Sequence, residues 1–158
     1  MTWQNLCNDK SLRDLPYRIE LNRAGKILMS PTRNRHGYFQ GKLARMLGEL
    51  MSGGEVLVEC AIETADSTKV ADVVWASADT FRVIKDEASC SVAPEICVEV
   101  LSPFNTPEEM ESKRRLYLAA GAREYWQCDE SGRLEFYAAA GRLAGSGLCP
   151  AFPKQLPV

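Results

Sequence analysis

Three charged side chains stand where the surrounding sequence asks for apolar ones. Asp72 lies inside Val70-Ala71-Asp72-Val73-Val74-Trp75, and Glu99 lies inside Ile96-Cys97-Val98-Glu99-Val100-Leu101, two runs that otherwise read as buried strands. Aspartate is a poor strand former and an unpaired buried charge is costly, so each position needs compensation. Lys113 is the third. Winding the helix predicted from Pro107 at about 100° per residue puts Met110, Leu116, Tyr117 and Ala120 on one face with Lys113 in its middle. Two carboxylates on neighbouring strands and an ammonium from a helix above them can neutralise one another, or together hold a divalent ion and a water. Taken singly, each reads as a strand-end acid or as a lysine whose stem snorkels outward; the three together favour a site. Carboxylates without histidine or thiolate suit a hard ion such as Mg2+ or Mn2+, and such ions serve phosphoryl chemistry.

The elements that must position these groups can be read around them. Tyr17 to Met29 predicts a hairpin turning at Asn22-Arg23-Ala24-Gly25, with glycine supplying positive φ, and Ser30-Pro31-Thr32 then interrupts. A helix is predicted from about Arg35 to Met51, with Phe39, Leu43, Met46, Leu47 and Leu50 as its apolar stripe and Ser52-Gly53-Gly54 as its end. Strands follow at Val56 to Ile62, Val70 to Ala76 and Ile96 to Leu101. Thr106-Pro107-Glu108-Glu109 starts the second helix, with threonine as N-cap and proline in the first turn, and Gly121 closes it. Glu124 to Cys128 and Leu134 to Ala138 form a last hairpin around Asp129-Glu130-Ser131-Gly132. The order predicts an α/β or α+β fold, a sheet with helices packed on it, in a single domain over residues 1–158.

Composition narrows the function classes. The 158 residues are 46% hydrophobic and 25% charged, which excludes a disordered or fibrous chain. The formal net charge of -2 gives no global basic field, so a polyanionic partner has to be met by local charge. Six cysteines without metal-ligand spacing and a single histidine make a zinc site a poor reading; Cys60, Cys97 and Cys128 fall in apolar runs and read as buried thiols in a reducing compartment. No segment approaches the roughly 18 apolar residues of a membrane span, and no leader pattern follows Met1. The expected location is the cytoplasm, with no membrane partner.

The sequence resembles the Uma-type restriction endonuclease family of the PD-(D/E)XK nuclease superfamily. The resemblance rests on Tyr17 to Pro31, His36 with Gln40, Val70 to Val74, Pro94 to Pro103, and Lys113 through Tyr117, Gly121, Glu124, Tyr125 and Trp126. Its most specific string is Val98-Glu99-Val100-Leu101-Ser102-Pro103, followed by the helix with Lys113 and by Gly121-Ala122-Arg123-Glu124-Tyr125-Trp126. The resemblance implies a restriction-endonuclease-like core, a mixed central sheet flanked by helices, with Asp72 and Glu99 as the acidic pair that binds metal. Leu101 occupies the place of the superfamily's usual lysine, and Lys113 on the next helix takes over; Ala71 replaces the proline before the first acid. Glu20 matches a recurring glutamate of the N-terminal strand.

His36 falls on the apolar side of the first helix with Gln40 at its edge, readable either as packed core or, by the resemblance, as support for the metal site. Arg35, Lys42 and Arg45 on an adjacent flank read as solvated surface that could also meet phosphates. The expectation is a Mg2+- or Mn2+-dependent endonuclease acting on nucleic acid, DNA first, with Asp72, Glu99 and Lys113 catalytic, Glu20, His36 and Gln40 supporting, and a homodimer as the candidate assembly. In it Lys113 orients or deprotonates the water. The main rival is a binding module that keeps the fold without catalysis; hydrolysis of a glycoside by the carboxylate pair has no sugar-binding aromatic pattern behind it.

Overall fold

The structure, a computed structural model, describes residues 1–158. A six-stranded sheet in the order β3-β4-β5-β6-β7-β8 forms its centre: β3 (Gly54–Glu63), β4 (Thr68–Ser77), β5 (Ile96–Val100), β6 (Glu124–Cys128), β7 (Leu134–Ala138) and β8 (Gly141–Leu143). All neighbours are antiparallel except β5 and β6, which are parallel and connected through helix α4 (Pro107–Ala119). This is the α+β class with a mixed central sheet flanked by helices that the order of elements predicts.

The two faces of the sheet carry separate cores. Helix α2 (Asn34–Leu50) lays Phe39, Leu43 and Leu47 on one face, against Val73, Trp75, Val98 and Trp126, and the C-terminal segment adds Phe152 and Leu156. On the other face Tyr117 of α4 and Ile84 of α3 (Ala78–Ile84) pack over Val74, Ala76, Cys97 and Tyr125. Leu50, expected in the stripe of α2, is instead 42% exposed, at the last residue of the helix.

The N-terminal hairpin, β1 (Tyr17–Leu21) with β2 (Ile27–Pro31), is a two-stranded sheet of its own. Gly25 takes φ 72° in its turn, as expected. Ser30 and Pro31 do not interrupt it; they pair with Arg18 and Tyr17, and Pro31 is tolerated because the strand is an edge. Sequence periodicity also left α3, β8 and the short helix α1 (Trp3–Asn8) unread, all three being too brief to show a period.

Helix α4 begins as its sequence dictates. The Thr106 hydroxyl accepts from the Glu109 N–H at 3.2 Å, and Pro107 sits in the first turn. Gly121, at φ 118°, closes it and turns the chain into β6. Cys60, Cys97 and Cys128 are buried free thiols, joined by Cys90 and Cys149, while Cys7 is exposed. No helix is long and apolar enough to cross a membrane.

Candidate active site

The sheet opens at Asp72. The β4–β5 ladder pairs Trp75 with Ile96, Val74 with Cys97 and Val73 with Val98, then stops one step short of Asp72 and Glu99. On the other side, β3 pairs Val58 with Val73 and Cys60 with Ala71, skipping Glu59 opposite Asp72. Glu59 there adopts φ 52°, a left-handed conformation rare for a residue with a side chain. Side chains replace the missing ladder bonds. The Val100 N–H donates to Asp72 Oδ2 at 2.7 Å, and Gln40 Nε2 donates to the Asp72 carbonyl at 3.1 Å and to Glu59 Oε1 at 2.8 Å.

Three further elements converge on this opening. From α2, His36 Nε2 lies 3.3 Å from Asp72 Oδ2, one turn before Gln40. From α4, Lys113 Nζ donates to Glu20 Oε1 at 2.8 Å and lies 3.4 Å from both oxygens of Glu99; one turn on, the Tyr117 hydroxyl donates to Glu99 Oε1 at 2.8 Å. The third is β1, which brings Glu20 and Arg18. All six residues singled out from sequence, Asp72, Glu99, Lys113, Glu20, His36 and Gln40, therefore meet at one place.

Arg18 was not among them, and it holds the centre. Its guanidinium reaches Asp72 Oδ1 at 2.7 Å, Glu59 at 3.6 Å, Glu20 at 3.8 Å and Glu99 at 3.9 Å, and it also donates to the Val70 carbonyl. The available signal was the strand period: Arg18 and Glu20 are two apart and share a face. Tyr117, read as part of the apolar stripe and of the stretch that carries the resemblance but given no role at the site, shares a helix face with Lys113 four residues earlier. Glu59 gave no signal.

The electrostatics follow from this packing. Burial pushes Glu99 up to about 7, with Lys113 pulling against it and Asp72 adding repulsion. Burial acts the same way on Asp72, but the hydrogen bond from His36 and the Arg18 charge outweigh it and hold that carboxyl below its ordinary range. The Asp72 hydrogen bond raises His36. Lys113, although buried, is raised by Glu99 and Glu20 and stays an ammonium.

Three buried side-chain polar atoms in the whole chain lack a hydrogen-bond partner: Arg18 Nε, His36 Nδ1 and Asp72 Oδ1. Arg18 Nη1 stands at ion-pair distance from Asp72 Oδ1 without the alignment of a hydrogen bond. Native interiors leave few such atoms, so their gathering around one aspartate marks a place not organised for stability alone.

No three His, Cys, Asp or Glu side chains form a metal cage by themselves. A hard ion of the Mg2+ kind needs only one or two carboxylates, the rest of its shell being water and substrate oxygen. Asp72, whose Oδ1 accepts no hydrogen bond and is held only by the Arg18 charge, and Glu99 fit that requirement. Above them opens a cleft of about 650 Å3 lined by Arg18, Glu20, His36 and Lys113. Asp72 and Glu99 lie beneath it, 0% and 2% exposed. Of the basic flank of α2, Arg35 also lines the cleft and donates to the Glu130 carbonyl at 2.7 Å, whereas Arg45 pairs with Glu49 on the surface.

The family model described as "Uma2: Putative restriction endonuclease" matches residues 9–144. The fold is similar to that of a "putative nuclease belonging to DUF820" from Anabaena variabilis ATCC 29413, with a TM-score of 0.69 and 16% sequence identity over 87% of this chain and 79% of that one. No curated protein matches the sequence significantly.

Proposed function

The chain belongs to the Uma2 restriction-endonuclease family, and from that premise we propose that it hydrolyses phosphodiester bonds of nucleic acid, DNA first, with Mg2+ or Mn2+ held by Asp72 and Glu99. The observation that carries this reading is the clustering of the chain's orphaned buried polar atoms around Asp72, beside a second carboxyl that burial drives toward neutrality. A fold stabilised for its own sake would satisfy or replace these groups.

When bound, the ion neutralises charge developing on the phosphate and makes water a better nucleophile at neutral pH. The protein's own groups divide the remaining work. Lys113, kept protonated by Glu99 and Glu20, acts as a cation that orients the attacking water or stabilises phosphate charge, in preference to acting as a base. His36 and the Val100 N–H fix the Asp72 carboxylate, and Tyr117 fixes Glu99. Arg18 is the resident counter-ion of Asp72 and also lines the cleft, so its guanidinium holds the Asp72 carboxylate and presents a cation to a phosphate bound there.

Incubation of the purified protein with single- and double-stranded DNA and with RNA tests the reading. Cleavage should require Mg2+ or Mn2+, stop with chelator, and fall by orders of magnitude in Asp72→Asn and Glu99→Gln. Absence of metal-stimulated cleavage on every substrate, with these variants losing their fold, favours the binding module instead.

A further inference from the structure

The cleft has an aromatic at its mouth that the hydrolytic reading leaves unused. Phe104 is 73% exposed, more than any other large apolar side chain except the C-terminal Val158. Its exposure is built in. The loop after β5 is a closed turn in which the Ser102 N–H donates to Asn105 Oδ1 at 2.8 Å and the Asn105 N–H to the Ser102 carbonyl at 3.1 Å; Pro103 stiffens it and Asn105 Nδ2 ties it to Glu109 of α4 at 3.3 Å. Leaving a phenyl ring in water forgoes its burial energy, so a turn that holds it outward calls for a use.

Arg33, just before α2, places its guanidinium over this ring, 5.5 Å from the centroid, and makes no ion pair with any carboxylate. Both residues line the same cleft as Lys113, Glu20 and Arg18. A flat apolar ring with an unpaired planar cation over one face and the other face open, in the cleft proposed for phosphate chemistry, is complementary to a nucleobase with its attached phosphate. A base inside an intact duplex has both faces occupied by its neighbours, so only an unpaired or extruded base can use such a surface.

We propose that Phe104 with Arg33 is a stacking platform for one unpaired nucleobase next to the scissile phosphate, an inference that rests on the nuclease reading and narrows it to single-stranded or locally opened nucleic acid. The platform positions substrate and takes no part in bond breaking.

The test is fluorescence anisotropy in chelator, where nothing is cut, with three probes of equal length: a single-stranded DNA, its blunt duplex, and an abasic strand carrying the same phosphates. The single strand should bind more tightly than the other two. Phe104→Ala should weaken it by roughly tenfold while leaving the abasic strand unchanged, and Phe104→Trp should restore it. Arg33→Gln should also weaken it and lower the slope of log affinity against log salt by about 0.7. Equal binding of the single and abasic strands, indifference to Phe104→Ala, or no binding of any probe overturns the platform. Cleavage in Mn2+ is scored separately: Phe104-dependent binding without cleavage removes the hydrolase and keeps the platform, and cleavage without Phe104 dependence does the reverse.

Discussion

Arg18 Nη1 lies 2.7 Å from Asp72 Oδ1, so a buried guanidinium stands where the proposed ion would find its least satisfied ligand atom. On the proposed reading the two cations are alternatives. Arg18→Gln removes the resident counter-ion from a group of carboxylates and should cost the metal-free protein about 3–5 kcal/mol at neutral pH. Because the vacated charge is one a divalent ion can replace, Mn2+ should raise the melting temperature of the variant by more than that of the wild type. Equal metal-induced shifts in the two proteins would show that Arg18 and the ion do not compete.

The pH dependence of stability in chelator follows from Glu99. Its folded pKa of about 7 stands above the ordinary 4.5 of the unfolded chain. A carboxyl raised in this way contributes stability that is complete below 4.5 and lost as pH rises through 7. His36, raised from 6.5, loses its contribution at the upper end of the same range. Asp72, lowered from 3.8, matters only in stronger acid, where its contribution is lost as pH falls. The metal-free wild type should therefore lose on the order of 3 kcal/mol between about pH 5 and pH 8, and Glu99→Gln should flatten most of that slope. Melting curves across this range check it; a wild type whose stability rises with pH would contradict the buried environment assigned to Glu99.

Lys113 separates charge from shape. Lys113→Met keeps the buried stem and removes the ammonium, and single-turnover cleavage should slow by about 10²-fold or more if that cation stabilises the reacting groups. Lys113→Arg should recover part of the rate, since a cation that acts by charge tolerates a change of shape better than a base does. Loss of the fold in Lys113→Met, with the arginine variant no faster, would assign Lys113 to structure alone.

Glu124 is the contrasting buried carboxylate. It accepts from Trp126 Nε1 at 2.7 Å, Ser146 Oγ at 2.7 Å, the Gly147 N–H at 2.7 Å and the Leu148 N–H at 2.8 Å, so every lone pair that matters is satisfied. It ties the C-terminal segment to β6. Glu124→Ala strands several donors and should destabilise by about 3–5 kcal/mol, whereas Glu99→Gln, which replaces a carboxyl already driven toward neutrality, should fold as well as the wild type, and Asp72→Asn should cost less than Glu124→Ala because Arg18 keeps Glu59, Glu20 and Glu99 as partners. Denaturant titration of the three variants distinguishes the structural carboxylate from the site carboxylates.

Much of this was legible because the departures were local. Asp72 and Glu99 interrupt apolar runs that are otherwise continuous, and Lys113 interrupts an apolar helix face, so the strand and helix periods exposed them without any tertiary knowledge. Arg18 was not legible. Its contacts with Val70 and Asp72 join residues more than fifty positions apart, and nothing in Tyr17 to Leu21 says that the hairpin folds over the open end of β4. The left-handed break at Glu59 was hidden for the same reason, since such a backbone at glutamate has no sequence mark when the surrounding structure imposes it. Glu124 belonged to the family string, yet its four partners show a structural reason for its presence.

The central claim is that Asp72 and Glu99 together hold one divalent ion, and titration of the folded protein with Mn2+, followed by electron paramagnetic resonance of the free ion, tests it most directly. The account predicts one saturable Mn2+ per chain, competed by Mg2+, with affinity at least tenfold weaker in Asp72→Asn and in Glu99→Gln while both variants stay folded. Saturable binding that neither substitution disturbs, or no saturable binding by the wild type, would contradict it.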